Sequence, residues 1–419
     1  MIKHILKQIW TQRTSNIWLW TELFLVSVFL WFVVDYLYVA ASNYFTPTGF
    51  NIEHTYKVSI EQLSSESAEY MPVDNKTTLG EDYLKIINRI RNYHGVEAVS
   101  LSTYSHPYAL GNISNNYAHD TTLVSLQIRN VTPDFFRVFR VTNPDGNTEP
   151  LITGLKQDKS IVITKDAELK LMGEGCSAIG ITLTKPEVDS IGEKVTGVST
   201  NIRYTEFEKE NSSVFILQKE SDIVEQNDPG FFKILELCIR VSPDADYDFI
   251  SCFRKDMAHQ LRVGNFFMLD IQSLQSIRNV FFRMTGDFNT LKTHLAIVAF
   301  LLANIFLGII GTFWFRTAYR KGEMGLRLAL GSTRSSLRGL LIAEGLILLT
   351  LAIIPAAVVG FNIGHAELVD VKRMDFTFLR FLIGIVATYL LMIGMIILGI
   401  GYPARQAMSI QPAEVLHEQ

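Results

Sequence analysis

Apolar residues are concentrated in four long runs, and this pattern predicts four membrane-spanning helices. The helices are predicted at residues 18–42, 295–315, 340–361 and 379–402. A spanning helix needs about 20 predominantly apolar residues. The first run is the least regular, because Glu22 and Asp35 bracket only 12 uncharged residues. One or both of these acids must therefore lie near a membrane interface or extend towards one.

Basic residues on one side of these runs predict the orientation. They precede the first run, lie between the second and third, and follow the fourth: Lys3, Lys7, Arg13, Arg316, Arg320, Lys321, Arg327, Arg334, Arg338 and Arg405. Such residues mark cytoplasmic segments. Both termini are therefore predicted in the cytoplasm, with residues 43–272 and the short loop 362–378 outside. The segment 403–419 is a cytoplasmic tail. We expect residues 1–17 to form an amphipathic helix on the inner leaflet rather than a cleaved signal; the alternative is a helix packed on protein.

The exported segment alternates strand and helix signals, which predicts an α+β domain in two similar halves. Strand patterns at 52–60 and 96–103 flank a helix at 81–93, and strands at 234–241 and 266–270 flank a helix at 246–262. A further strand is expected at 123–131. Residues 141–230 are richer in Gly, Glu, Asn and Ser, with short strand signals at 160–163 and 214–218, and are interpreted as an inserted subdomain.

A heptad pattern precedes the second membrane run. Apolar residues at alternating spacings of three and four form one seam: Leu274, Ile277, Phe281, Met284, Phe288 and Leu291. This pattern predicts a helix over 273–294 that continues into the membrane helix and carries the exported domain as a stalk. The alternative is a helix packed on its own domain. The fold class predicted is thus an α-helical membrane protein with four transmembrane helices plus an α+β extracytoplasmic domain on a helical stalk.

Composition adds a charge asymmetry to this picture. The chain has 48% hydrophobic residues and a net charge of −4. Residues 43–292 carry 25 Lys/Arg against 33 Asp/Glu, while the remainder has a balance of +4. This composition argues against disorder and against nucleic-acid binding. Cys176, Cys238 and Cys252 all lie in the exported segment. Either a Cys238–Cys252 bridge or free thiols fit the sequence.

Motifs for catalysis or metal binding are missing. There is no GxxxxGK[ST], HExxH, CxxC or GxSxG pattern. The sequence therefore predicts no catalytic residue, no metal site and no cofactor on this chain. The intramembrane acids Glu22, Asp35 and Glu344 raise the question of an ion path. Because polar groups at middle depth are few, we expect these acids to extend to an interface or to pair with cytoplasmic arginines.

The cytoplasmic loop at 316–339 combines basic residues, apolar residues and glycines. It is either an interfacial helix attracted by anionic membrane lipid or a docking helix for a soluble partner. The residues proposed for this contact are Arg316, Arg320, Glu323, Met324, Gly325, Leu326, Arg327, Ala329 and Gly331.

This loop resembles the signature of FtsX/MacB-type ABC transporter permeases. The shared pattern is R-x(6)-E-[IM]-G-[ILV]-R-x-A-x-G-[AS]-[TS], followed by a helix with a glutamate, here Glu344. The ending 403–416 resembles the family's P-[AS]-R-x-A…x-P-x-E-[AV]-L terminus, and 131–136 resembles its V-[ST]-P-[DE]-[YF]-F segment. Two departures are Gly322 after the basic cluster and Leu328 in place of a second basic residue.

The resemblance implies a dimeric permease, homo- or heteromeric, of a bacterial inner membrane, with a MacB-like periplasmic core domain. ATP would bind a separate cytoplasmic ATPase, and its hydrolysis would move the external domain by mechanotransmission. Candidate tasks are efflux through a periplasmic adaptor, lipoprotein extraction and activation of a cell-wall hydrolase. The rival hypothesis is a membrane-anchored extracytoplasmic sensor or structural protein that uses no ATP.

Overall fold

A computed structural model describes residues 11, 13–71, 78–186, 189–319, 322, 326–327 and 330–408 of the 419-residue chain. The predicted amphipathic helix at 1–17 lies almost wholly outside the described residues. The chain divides into two compact units. We call residues 1–44 with 288–419 the helical unit, and residues 45–287 the central domain.

The helices and strands of the described residues are numbered in chain order. The helices are α1 (Arg13–Phe45), α2 (Leu79–Arg91), α3 (Phe135–Val138), α4 (Glu149–Leu155), α5 (Lys165–Met172), α6 (Glu220–Val224), α7 (Pro229–Ile234), α8 (Phe249–Met257), α9 (Leu274–Thr285), α10 (Asp287–Tyr319), α11 (Arg334–His365) and α12 (Phe378–Met408). The strands are β1 (Thr55–Gln62), β2 (Val96–Thr103), β3 (Ile113–His119), β4 (Thr122–Val131), β5 (Ser160–Thr164), β6 (Thr182–Lys185), β7 (Asp189–Ser199), β8 (Ser213–Leu217), β9 (Leu235–Val241) and β10 (Phe266–Ser273).

Among its described residues, the helical unit contains four helices long and apolar enough to cross a membrane. Their apolar spans are Asn16–Phe45, Asp287–Thr312, Arg334–His365 and Phe378–Ile400. Each span contains one of the four predicted runs or most of it. Helices α1, α11 and α12 share a core of leucine, isoleucine and methionine side chains, against which α10 adds Leu302 and Ile305. The sequence pattern alone therefore located the membrane helices.

A tryptophan fixes α1 against α11 and α12. Trp31 of α1 is fully buried. A Cβ placed on Gly360 of α11 would lie 3.1 Å from its ring, and one on Gly384 of α12 would lie 3.0 Å from its Nε1. A methyl group at either position would lie in close contact with the indole, so the ring would have to shift slightly to accommodate it. The ring of Trp31 also packs against Phe381, with centroids 5.9 Å apart.

The first layer of the central domain is a four-stranded antiparallel sheet in the order β10-β1-β9-β2. Strands β1 and β2 flank helix α2, and β9 and β10 flank helix α8, so the layer repeats the β-α-β unit of ferredoxin-like folds. Apolar residues alternate along β1 and β9 and bury one face of the sheet against α2 and α8. The predicted pair of similar α+β halves corresponds to this layer.

The remaining strands form a second sheet region that closes on itself. Its order is β4-β3-β6-β7-β5-β8, and β8 pairs again with β4 in parallel register from Gln127↔Ser213 to Val131↔Leu217. This closed six-stranded region occupies the chain between β2 and β9, residues 104–234. The insertion thus begins earlier than the predicted 141, and β4 (predicted at 123–131) belongs to it. The alternation in β4 identified a strand but could not show its partners.

Helix α9 differs from the predicted stalk over 273–294. It ends at Thr285, and Gly286 follows with a φ of +75°. A left-handed glycine is a common helix terminator, so the heptad seam does not lie on one continuous helix. Leu274 and Phe281 of the seam are buried in the central domain, whereas Met284 is exposed. The alternative interpretation, a helix packed on its own domain, describes α9.

The three cysteines are free thiols: Cys238 is buried, and Cys176 and Cys252 are exposed. Cys238 packs with the phenylalanines of α3, whereas α8, which carries Cys252, packs on the opposite face of the sheet. The sheet therefore separates the two thiols considered for a bridge.

Candidate coupling segment and buried polar clusters

The proposed coupling residues lie between α10 and α11. Arg320, Glu323, Met324, Gly325 and Ala329 fall outside the described residues. Arg316 belongs to the last turn of α10. Leu326 is exposed, and Arg327 is half-buried and has an interaction partner. The side chain of Leu326 is therefore available on the surface of the unit.

Gly331 has a local structural role. Its φ is +93°. The amide of Ser332 donates to the carbonyl of Arg327 at 2.9 Å, across a left-handed residue, which is the bond of a Schellman helix terminus. Two residues later, the hydroxyl of Thr333 accepts from the amide of Ser336 and caps α11. The Gly-Ser-Thr end of the signature thus ends one helical turn and begins the next helix.

Asp35, in the second half of α1, forms a buried ion pair. Asp35 Oδ2 lies 2.6 Å from Arg380 Nη2, and Oδ1 accepts from Arg380 Nε at 2.9 Å. Both side chains are at most 2% exposed. The arginine also donates to the backbone carbonyls of Asp370 and Met374. The pair therefore joins α1, α12 and the loop between α11 and α12.

The other two acids occupy different environments. Glu22 is half-buried on α1, and its Oε2 accepts from Thr312 of α10 at 3.3 Å. A Cβ on Gly308 would lie 2.7 Å from Glu22 Oε1, so the carboxylate covers this glycine of α10. Glu344 is buried on α11 and has an interaction partner. Asp35 thus pairs with an arginine, as expected for these acids, but its partner Arg380 borders the loop predicted outside.

A second polar cluster lies in the central domain around Glu236 of β9. Its Oε2 accepts from the Ser102 hydroxyl at 2.8 Å and from the amides of Ser105 at 2.9 Å and His106 at 3.1 Å. Three donors on one oxygen hold the carboxylate in a fixed position. The imidazole Nε2 of His106 lies 3.5 Å from Oε1.

His106 connects this carboxylate to Lys57. Its Nδ1 lies 2.7 Å from the carbonyl of Pro107, and its Nε2 lies 3.0 Å from Lys57 Nζ. A carbonyl can only accept, so Nδ1 carries the proton and Nε2 accepts from the ammonium. Burial lowers the pKa of His106, and the charges of Lys57 and Arg129 act in the same direction while Glu236 opposes them. The ring is therefore neutral at pH 7.

Arg129 completes the cluster on the neighbouring strand β4. Its guanidinium is 1% exposed and donates to the carbonyl of Ser105 at 2.8 Å. Burial lowers its pKa to about 10. Lys57, Arg129 and Glu236 thus place two positive charges and one negative charge around a neutral histidine.

Sequence reasoning missed Arg380, Trp31 and the Lys57–His106–Glu236 cluster. Arg380 stands next to the uncharged run that begins at Phe381, a position where an arginine looks like an ordinary interfacial anchor. Lys57 and Glu236 are each followed by an apolar residue, Val58 and Leu237, so each looks like an ordinary solvent-facing position of an alternating strand. Their common face follows from the pairing of β1 with β9, which sequence periodicity does not specify.

Residues 295–412 match the family model FtsX-like permease C-terminal. The match covers most of α10 and all of α11 and α12. It confirms the predicted resemblance to FtsX-type permeases for this part of the chain. Together with the four apolar spans, it indicates that this part of the chain is similar to a membrane permease.

Solved structures similar to this chain are domains of permeases and transporters. One is a domain of a protein described as a permease from Porphyromonas gingivalis, at 13% identity and a TM-score of 0.34, covering 54% of this chain and 91% of that one. Another is the extracellular domain of the noncanonic ABC-type transporter YknZ from Gram-positive bacteria, at 14% identity and 0.31, covering 52% and 100%. A third is the periplasmic region of MacB from Actinobacillus actinomycetemcomitans, at 11% and 0.32, covering 55% and 94%. Comparison with curated proteins gives no match.

Proposed function

We propose that this chain is the permease subunit of an ABC transporter that works by mechanotransmission. A separate cytoplasmic ATPase binds residues 316–335, and its ATP-driven closure changes the conformation of the central domain outside an inner membrane. Both termini lie in the cytoplasm. The observation that carries the proposal is the FtsX-like permease match over residues 295–412, which includes the whole coupling segment.

The packing of the helical unit supports transmission of movement rather than an ion path. The carboxylate of Asp35 forms an ion pair with Arg380. At middle depth, Thr350 and Tyr389 share a hydrogen bond of 2.8 Å, and Asn304 bonds to the carbonyl of Phe300 within its own helix. The Thr350–Tyr389 bond joins α11 to α12, whereas the Asn304 bond satisfies the amide within α10.

The resemblance to FtsX/MacB-type permeases implies a second permease subunit, and the exposed apolar face of α10 is the surface proposed for it. Phe300 and Leu307 are 67% and 65% exposed on this helix. We infer that a second permease covers this face, and a cysteine cross-link tests it. Leu307→Cys, in a C176S/C252S background, should form a disulfide-linked dimer in native membranes. Val358→Cys, on an equally exposed position of α11, is the control; a cross-link at Val358 and none at Leu307 would place the interface elsewhere.

Co-purification tests the ATPase partner. A tagged chain expressed with its neighbouring genes should bring down an ABC ATPase in stoichiometric amount, and Glu323→Ala or Gly325→Leu should lose it or its ATP-dependent response. Lys372→Ala, at an exposed position of the loop between α11 and α12 and outside the coupling segment, is the control. Retention of binding and of ATP-dependent movement in both variants would refute the coupling role. Repeated absence of any ATPase would favour the membrane-anchored sensor.

A further inference from the structure

The central domain contains a cavity of about 450 Å³ beside the polar face of its four-stranded sheet. Lys57 and Glu236 form part of the cavity lining. They lie on the same face of the sheet, opposite to the face that Leu237 contributes to the apolar core. The volume falls within the range of small-molecule sites.

The cavity lies beside the part of this sheet face on which α3 does not pack. Further along β9, Cys238 is covered by the aromatic residues of α3. At Glu236 the cover is replaced by the loop that follows β2, which contributes Tyr104, His106 and Leu110 to the cavity. Leu110 is 72% exposed, and it offers an apolar surface beside the charged one.

The Lys57 ammonium has more N–H donors than its described hydrogen bond uses. An ammonium group carries three N–H donors. Within the described part of the chain, its hydrogen-bonding contact is with His106 Nε2, at 3.0 Å. The nearby carboxylate of Glu236 is occupied by Ser102, Ser105 and His106. The cavity therefore presents at least one ammonium donor without a protein acceptor among those residues.

The charges around the cavity favour an anion. Arg129 bonds to the carbonyl of Ser105, and its described hydrogen bonds are to neutral oxygens. Lys57, Arg129 and Glu236 together leave a net positive charge beside the cavity, and the half-buried Lys57 lines it. An anion at Lys57 is therefore favoured electrostatically. Lys233 and Glu61, both exposed at the rim, carry opposite charges and leave this balance unchanged.

We propose that this cavity binds a small organic carboxylate, with the carboxylate at Lys57 Nζ and an apolar group against Tyr104 and Leu110. An inorganic anion would satisfy the charge but would leave the apolar wall without contacts. The site belongs to the central domain alone, so it stands whether or not the chain acts with an ATPase.

Ligand-observed ¹⁹F NMR on the full-length protein in detergent tests the site. The probes are N-acetyl-4-fluorophenylalanine and its carboxamide, which differ in the charge of one group. We expect the carboxylate to bind about tenfold more tightly or better, as a charge-assisted hydrogen bond predicts. Lys57→Met should abolish the difference and Lys57→Arg should retain it. Lys255→Met, at an exposed position of α8, is the control.

Protection of the buried Cys238 thiol from alkylation shows that each variant is folded. Equal binding of the two probes to the wild-type chain would overturn the proposal, as would no binding of the carboxylate up to millimolar concentration. Carboxylate binding that survives in a folded Lys57→Met protein would overturn the assignment of Lys57.

Discussion

Asp35 of α1 and Arg380 of α12 are joined by two hydrogen bonds, 2.6 and 2.9 Å long, in a site from which solvent is excluded. The residues are 345 positions apart in the chain. The carbonyls of Asp370 and Met374 bind the other donors of the guanidinium. The pair therefore fixes the distal end of the first membrane helix to the hairpin of the last two.

Removal of either charge should destabilise the helical unit. Asp35→Asn leaves a buried guanidinium without a counter-charge, and Arg380→Met leaves a buried carboxylate. Loss of one partner in such a pair costs about 3–5 kcal/mol. We expect both variants to lower the thermal unfolding midpoint of the full-length protein in detergent.

The double variant distinguishes a pair from two independent sites. Asp35→Asn with Arg380→Met removes both charges and should be more stable than the sum of the two single effects predicts. If the two single effects simply add in the double variant, the residues do not interact in the folded protein.

The packing of Trp31 against Gly360 and Gly384 gives a second prediction. Gly384→Ala would place a methyl group 3.0 Å from the indole Nε1, and Gly360→Ala one 3.1 Å from the ring. Overpacking of this kind costs about 1–3 kcal/mol, so both variants should lower the unfolding midpoint. Gly394→Ala on α12 has no atom within 4 Å and is the matched control. Equal stability of all three variants would show that Trp31 is not tightly packed against these glycines.

The sequence specified the membrane helices well, because a run of about 20 apolar residues has few other stable states. It also located β2, predicted and observed at Val96–Thr103, because its alternation is bounded by Gly95. It could not specify which strands pair: β4 looked like part of the first layer but closes the second sheet region through β8. The heptad seam failed at Gly286, where a single left-handed residue ends α9.

The same limit applies to the candidate sites. The motif around Glu323 is contiguous and could be recognised from the sequence. Asp35 and Arg380, or Lys57 and Glu236, are distant in sequence and are brought together only by helix packing or strand pairing. Asp35 stands out as an acid within an apolar run, but nothing local identifies Arg380 as its partner, and nothing local connects Lys57 with Glu236.

The turn at Gly331 gives a third prediction. A φ of +93° is unfavourable for any residue with a side chain, and Gly331→Ala should weaken the helix terminus by roughly 1–2 kcal/mol. Trypsin cleavage at Arg327 and Arg334 in membrane vesicles should become faster. Gly322→Ala, where a Cβ meets nothing within 4 Å, is the control. Unchanged cleavage in Gly331→Ala would show that the turn tolerates a side chain.

The buried histidine predicts a pH dependence for the central domain. Below the ordinary His pKa of 6.5 the unfolded chain binds a proton, whereas burial and the charges of Lys57 and Arg129 lower the pKa of His106 in the fold, with Glu236 opposing them. The unfolded state then binds more protons, so the free energy of unfolding decreases as pH falls from 6.5 towards the lowered folded pKa.

Alkylation of Cys238 in a C176S/C252S protein measures this effect, because the thiol is buried and reacts only when the domain opens. Because thiolate formation itself depends on pH, the labelling rate at each pH is divided by that of the denatured protein at the same pH. We expect this normalised rate to increase below pH 6.5. His106→Gln, which cannot bind a proton, should reduce this increase, whereas His259→Gln at an exposed position should leave it as in the parent. An identical increase in His106→Gln would assign the pH dependence to other groups.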